Sequence, residues 1–198
     1  EWLGRRFLDL GTGTGASLTW FSEHHYLATG IDNSPEMLNV LREKIQRHNY
    51  SANLIEADIS ENSASGYDMA LAFDVLNEMS SLRDLEPIFR ATHAALNPGK
   101  WFVFDLRTTE GMFSDAGDGD SVLFDEEDLL VLERHTHDFE RQIVTWKYDI
   151  FMLAGAFWER EQAERVLRAY PIQAVVTLLR RSGFTLSAVL DSRLNPVE

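Results

Sequence analysis

Residues 7–15 read Phe7-Leu8-Asp9-Leu10-Gly11-Thr12-Gly13-Thr14-Gly15. An apolar strand, predicted over Arg6–Leu10, runs directly into a turn carrying three glycines, with a carboxylate two residues before the first of them. Glycines permit a tight turn and let a ligand approach the backbone. The short helix predicted next, Ala16–Glu23, aims unpaired N–H groups at the same spot. A second apolar run, 26–31, ends at Asp32. This layout points to a nucleotide-like ligand. Alone, the glycine pattern also satisfies the dinucleotide fingerprint through Gly11, Gly13 and Ala16.

Working outward, strands and helices alternate as far as residue 106. Ser34-Pro35 gives an N-cap with proline at the first helical position. Met37, Leu38, Leu41 and Ile45 then form the apolar stripe of that helix. Further strands are predicted over 53–56, 67–73 and 101–106, with a helix over 82–96 closed by Asn97-Pro98-Gly99. Such alternation predicts a parallel sheet covered on both faces. The pattern then breaks. Runs 121–124, 129–137 and 143–153 read as antiparallel strands. Segment 157–167 has a helical composition, but its place after a strand pair allows another strand. Helix Ile172–Arg181, a stop at Gly183 and a strand over 185–190 resume the α/β pattern.

The expected fold is therefore α/β: a Rossmann-like, doubly wound, mostly parallel sheet with an inserted antiparallel β subdomain. Its core spans 1–106, the insertion 107–170, and the end of the core 171–198, as one domain overall. The chain opens at Glu1 and reaches a core strand within a few residues, so one or both ends of the natural protein are expected to lie beyond it.

The 198 residues hold no cysteine, which excludes disulfides and thiolate metal sites and fits a cytoplasmic location. No apolar run approaches the roughly 20 residues of a membrane helix. A net charge of −14 disfavours nucleic acid as partner. Asp115, Asp118 and Asp120 invite a calcium reading, but their spacing misses the calcium-loop pattern, and no metal is expected.

Asp9, Asp32, Asp58, Asp74 and Asp105 all fall at or just past strand ends and are expected to ring one crevice. In open α/β sheets that is where ligands sit. Such a ring repels a triphosphate. It suits a ligand with a cationic centre, an ammonium group, a ribose diol and an adenine amine, all of which S-adenosyl-L-methionine has.

At this point the chain resembles a class I S-adenosylmethionine-dependent methyltransferase. Leu8 to Gly15 matches the family's first motif, and Gly30-Ile31-Asp32-Asn33-Ser34-Pro35-Glu36-Met37-Leu38 its second. Glu56-Ala57-Asp58-Ile59 matches the third, and Tyr67-Asp68 through Phe73-Asp74 the fourth. Leu96-Asn97-Pro98-Gly99-Lys100 resembles the usual turn into the fifth strand, with Lys100 where a second glycine is commoner. The resemblance implies a cofactor site made of Asp9, Gly11, Thr12, Gly13, Gly15, Asp32, Asn33, Met37, Asp58, Ile59, Phe73 and Asp74. By it, Asp9 faces the ammonium, Asp32 takes both ribose hydroxyls, and Asp58 holds the adenine amine beside the Ile59 backbone. Met37 packs near the adenine, while Phe73 and Asp74 border the methionyl end.

Phe104-Asp105-Leu106-Arg107-Thr108, the insertion and Arg168-Ala169-Tyr170 resemble a bacterial subgroup acting on small molecules, whose inserted sheet roofs the acceptor site. The expected function is methyl transfer to oxygen or nitrogen of a small-molecule acceptor, by an enzyme that is a monomer or homodimer and does not bind a membrane. A hydroxyl acceptor needs a general base. His135 and His137 share a strand face; Tyr148, Tyr170, Arg107 and Glu78 are further candidates, and none is singled out. Two other readings stay open at this stage: a non-catalytic S-adenosylmethionine-binding sensor or scaffold, and a protein or RNA methyltransferase. A nicotinamide-dependent oxidoreductase explains Asp32 equally well but leaves the later acidic strand ends unexplained.

Overall fold

The computed structural model describes residues 4–114 and 120–197. Asp115 and Asp118, and with them most of the acidic loop, lie outside the described residues. The chain divides into two units. One comprises Glu1–Leu76, Ser81–Asp105 and Gln173–Glu198; the other comprises Asn77–Ser80 and Leu106–Ile172.

The first unit is a Rossmann-like sheet. Strands β1 (Arg6–Leu10), β2 (Leu27–Asp32), β3 (Ala52–Glu56), β4 (Tyr67–Ala72) and β5 (Leu96–Phe104) are parallel, in the order β3-β2-β1-β4-β5. Helices α1 (Ala16–Glu23), α2 (Pro35–His48) and α3 (Leu82–Ala95) connect or cover them. Phe7, Leu18, Ala28, Leu41 and Leu71 pack as one core cluster from strands and both early helices. Leu85, Ile88, Phe89 and Thr92 form the buried stripe of α3. Each large side chain so buried contributes roughly 1.5–3 kcal/mol of transfer free energy. The order reverses between β1 and β4, which makes the carboxyl ends of these two strands the topological switch point.

Ser34 caps α2, its hydroxyl accepting from the Met37 N–H at 3.2 Å, with Pro35 in the first turn. At the opposite end of the sheet, Asp68 accepts from the N–H groups of Arg5 and Arg6 and from Asn97 Nδ2. One carboxylate thus ties the starts of β1, β4 and β5 together.

Two expectations change. Helix α3 stops at Ala95, and Asn97-Pro98-Gly99 lies inside β5. Leu96 pairs with Tyr67 and Trp101 with Met69, so the intervening turn bulges out of the ladder. Segment 185–190 forms no strand: only Leu190 makes a bridge, to Pro196. Its alternation is strand-like, but among the described residues no neighbouring strand supplies a ladder, and Leu186 and Leu190 stay exposed. Segment 157–167, open between helix and strand in the sequence, is a strand.

In the second unit, after helix α4 (Thr109–Ser114), β6 (Asp120–Asp125), β7 (Leu129–Asp138), β8 (Ile143–Ala154) and β9 (Phe157–Arg168) make an antiparallel sheet in sequence order. Strand β9 pairs with β8 along its whole length, from Phe157 against Ala154 to Arg168 against Ile143. That ladder overrides the helical composition of its Glu-, Gln- and Arg-rich centre. Met112, Val144, Leu167 and Ala169 form this unit's small core, with Trp146 against it. No described helix is long and apolar enough to cross a membrane.

Candidate functional site

The glycine turn is bound to the end of β2. The N–H groups of Gly11 and Thr12 both donate to the Ile31 carbonyl, at 2.8 and 3.0 Å. Gly13 N–H donates to Asp32 Oδ2 at 2.7 Å, and Ser34 N–H to Asp32 Oδ1 at 2.9 Å. These two bonds orient the Asp32 carboxylate and leave each oxygen a second lone pair for a ligand.

Two of the glycines are glycine for different reasons. A Cβ on Gly15, whose φ is +83°, meets Leu41 Cδ1 at 2.1 Å, so that position is closed by packing. A Cβ on Gly13, at φ +52°, meets nothing within 4 Å. The backbone of Gly13 therefore faces open space.

Asp9 sits under this turn, 3 % exposed, and accepts from Thr12 Oγ1 at 2.8 Å. Burial pushes its carboxyl up to about 6, hydrogen bonds from Thr12 and Leu18 act against that, and the Asp32 charge adds to it. The Thr12 hydroxyl, also buried, is thereby committed to Asp9.

Beyond β3, Ala57 N–H donates to the Asp32 carbonyl at 3.0 Å, which ties the third strand's exit to the second. Asp58 is exposed and accepts from Ser60 N–H at 2.7 Å, capping the short 3-10 turn at Ile59–Glu61. Hydrogen bonding from Ser60 holds its carboxyl below the usual range. Ile59 is buried. Beyond β4, Phe73 and Asp74 are exposed; Asp74 has a left-handed φ of +55°, and its N–H donates to Asp105 Oδ1 at 2.7 Å. Met37 stands 46 % exposed on the first turn of α2, and Asn33 is exposed beside it.

The structure thus joins Asp9 to Asp32 through the glycine turn, Asp32 to the Asp58 loop, and Asp74 to Asp105. In the neighbouring turn 76–78 the sequence pointed to Glu78 alone, and Asn77 beside it is a buried clamp. Its Nδ2 donates to the carbonyls of Arg107 and Arg168, and its Oδ1 accepts from Arg107 N–H. The only signal in the sequence was a polar residue beside Leu76.

In the second unit, Tyr170 is buried and its hydroxyl donates to the Met79 carbonyl, so it acts within the fold. Arg107 lies over the Trp146 ring at 4.9 Å, and Arg165 pairs with Glu78 at 2.6 Å. His135 stacks on Trp146, while His137 stacks on Phe139. His24, His48 and His93 rest against Trp20, Tyr50 and Phe184. Among the described residues, no group of three His, Asp or Glu is placed to hold a metal ion.

Residues 7–99 match the family described as a methyltransferase domain. YqeM of Bacillus subtilis, named as a methyltransferase, is 24% identical over 192 residues, covering 93% of this chain and 75% of YqeM. The crystal structure of an S-adenosylmethionine-dependent methyltransferase from Clostridium acetobutylicum superimposes with a TM-score of 0.83 at 24% identity, covering 98% of this chain and 78% of the other. CalS10 of Micromonospora echinaspora, an amino pentose methyltransferase with S-adenosylmethionine bound, gives a TM-score of 0.76 at 19% identity, covering 95% and 78%. At these identities the solved structures speak for the fold.

Proposed function

We propose that this chain is a class I S-adenosylmethionine-dependent methyltransferase that moves a methyl group to an oxygen or nitrogen of a small metabolite, a reading supported by the methyltransferase-domain match over residues 7–99 and by the fold. The observation that carries the cofactor half of this reading is the Asp32 carboxylate, held by Gly13 and Ser34 N–H groups beside a glycine backbone that faces open space. A carboxylate so fixed, at the carboxyl end of β2 next to the switch-point strand β1, is matched to a ribose diol.

The other roles follow from chemistry. Exposed Asp58 and the Ile59 backbone take the adenine amine and ring edge. Met37 and Phe73, both apolar and both exposed, wall the ligand. Asp9 lies beneath the turn and favours an ammonium above it, directly or through water. Asn33, Thr12 and Asp74 shape the rim. When bound, S-adenosylmethionine supplies an electrophilic methyl group on a sulfonium. The protein's own part is to align the acceptor with that group and keep water away.

The small-molecule half is supported by the likeness to CalS10, which acts on an amino pentose, and by the acidic net charge, which disfavours a nucleic-acid acceptor. Two measurements test the reading. Calorimetry with S-adenosylhomocysteine and with NAD should show binding of the first alone. Incubation with methyl-labelled S-adenosylmethionine and a small-molecule cell extract should move label into a metabolite. Binding without transfer to any species would mark a sensor instead.

A further inference from the structure

Within the first unit, helix α2 touches the glycine turn at two points. Leu41, fully buried, underlies Gly15 so closely that a Cβ there meets its Cδ1 at 2.1 Å. Three residues further along α2, Lys44 Nζ donates to the Thr14 carbonyl at 2.9 Å, across 30 residues of sequence. Met37, Leu41 and Lys44 follow one another at i, i+4 and i+7, so a single stripe of α2 carries all three. Its exposed end is Met37, its buried middle is Leu41, and its half-buried end is Lys44.

Packing alone does not call for a lysine at this place. An apolar side chain would continue the stripe, as the neighbouring Ile45 does against the core cluster. A lysine head group is strongly hydrated and ordinarily reaches out to water. Lys44 instead directs its amine to one backbone oxygen of the turn. That turn has reason to need a tether. Gly11, Gly13 and Gly15 all take positive φ, and glycine loses more backbone freedom on ordering than any other residue. Bonds from outside the turn therefore decide which shape it keeps. Gly11 and Thr12 are held by the Ile31 carbonyl, and Gly13 by Asp32. The Thr14 carbonyl and the Gly15 N–H share one planar peptide unit. Gly15 N–H donates to the Thr12 carbonyl at 2.8 Å, and Lys44 takes the carbonyl, so this last peptide of the turn is fixed at both ends.

We propose that Lys44 is a positioning residue for the cofactor. It latches the glycine turn in its binding shape and raises affinity through the turn, not by touching the ligand. This rests on the reading that the turn binds S-adenosylmethionine. Apparent affinity scales with the fraction of the protein in the competent shape, so a latch whose loss leaves roughly one molecule in ten correctly shaped costs about 10-fold in binding.

The test uses the full chain and two readouts: calorimetry with S-adenosylhomocysteine, and hydrogen exchange of the turn amides in the ligand-free protein. S-adenosylhomocysteine carries no net charge, so removing a cation that does not touch it has little direct electrostatic effect on its binding. Lys44→Met keeps the apolar stem and removes the donor. It should weaken binding by at least about 10-fold and speed exchange at Gly13 and Gly15. Lys44→Arg, whose guanidinium donates to the same carbonyl, should restore most of the affinity. Ile45→Val thins the core under the same helix; it should lower Tm and leave affinity unchanged. The proposal is overturned if Lys44→Met binds as the parent does, if Lys44→Arg loses as much as Lys44→Met, or if Ile45→Val loses as much affinity as either. Absence of binding by the parent chain overturns the cofactor reading instead, and exchange at Gly13 and Gly15 then decides the latch by itself.

Discussion

Gly13 N–H donates to Asp32 Oδ2 at 2.7 Å, so the middle glycine of the first turn and the last residue of β2 form one unit. This contact makes the carboxylate a fixed acceptor rather than a swinging side chain. Each hydrogen bond to a charged group contributes about 1.5–3 kcal/mol. Asp32→Ala should therefore weaken S-adenosylhomocysteine binding by at least about 100-fold while the chain stays folded. Calorimetry and far-ultraviolet circular dichroism on the same sample check both halves, and unchanged affinity overturns the ribose role.

Two of the three glycines should separate fold from binding. Gly15→Ala forces a methyl onto Leu41 at a left-handed φ, which together should cost about 2–4 kcal/mol of stability. Gly13→Ala meets no atom, so only the backbone strain of about 1–2 kcal/mol remains. Its methyl enters the open space instead. Urea unfolding should rank Gly15→Ala well below Gly13→Ala in stability, whereas S-adenosylhomocysteine affinity should fall sharply for Gly13→Ala despite its milder unfolding.

These contrasts show what could be read in advance. The glycine turn, the Ser34-Pro35 cap and the strand-end carboxylates were legible because each depends on neighbours within a few residues. Strand β9 was not. Glu159, Arg160, Glu161, Gln162 and Glu164 favour a helix locally, and only the ladder with β8 makes them a strand. The 185–190 segment failed the other way: a strand pattern without a partner strand forms no strand. The His135–Trp146 pairing needed the register across the 139–142 turn, where a slip of one residue sends every side chain to the opposite face. Asn77 was invisible because its two partner residues lie 30 and 91 residues away.

Asp9 gives the stability curve a definite sign. Its carboxyl is raised from 3.8 to about 6 in the fold, so the native state holds the proton more tightly than the unfolded chain. The group's contribution is most favourable below pH 3.8. It declines as pH rises through about 6, by about 3 kcal/mol in all. Asp9→Asn keeps an acceptor for Thr12 and removes that penalty. The variant should be more stable than the parent at pH 7.5 and nearly equal to it at pH 4, as urea unfolding at the two values will show. A ligand ammonium favours the ionised form, so the same variant should bind S-adenosylhomocysteine more weakly at pH 7.5 despite its greater stability.

Asn77 should prove the reverse, a residue whose removal is felt in stability. It is 6% exposed, and its amide holds Arg107 by both N–H and carbonyl and Arg168 by its carbonyl. The chain thus leaves and returns to the antiparallel sheet through one side chain. Asn77→Ala removes one bond from each of the Arg107 and Arg168 carbonyls and from the Arg107 N–H; the Arg107 carbonyl keeps a 3.4 Å bond from the Tyr170 N–H, and each group left orphaned costs about 1–3 kcal/mol, partly recovered where water enters. A net loss of about 2–4 kcal/mol is expected, seen as a fall in Tm of several degrees. Asn77→Asp should be no better, since it turns an oxygen toward the same two carbonyls. A melting temperature within one degree of the parent for both variants would show that the clamp is redundant.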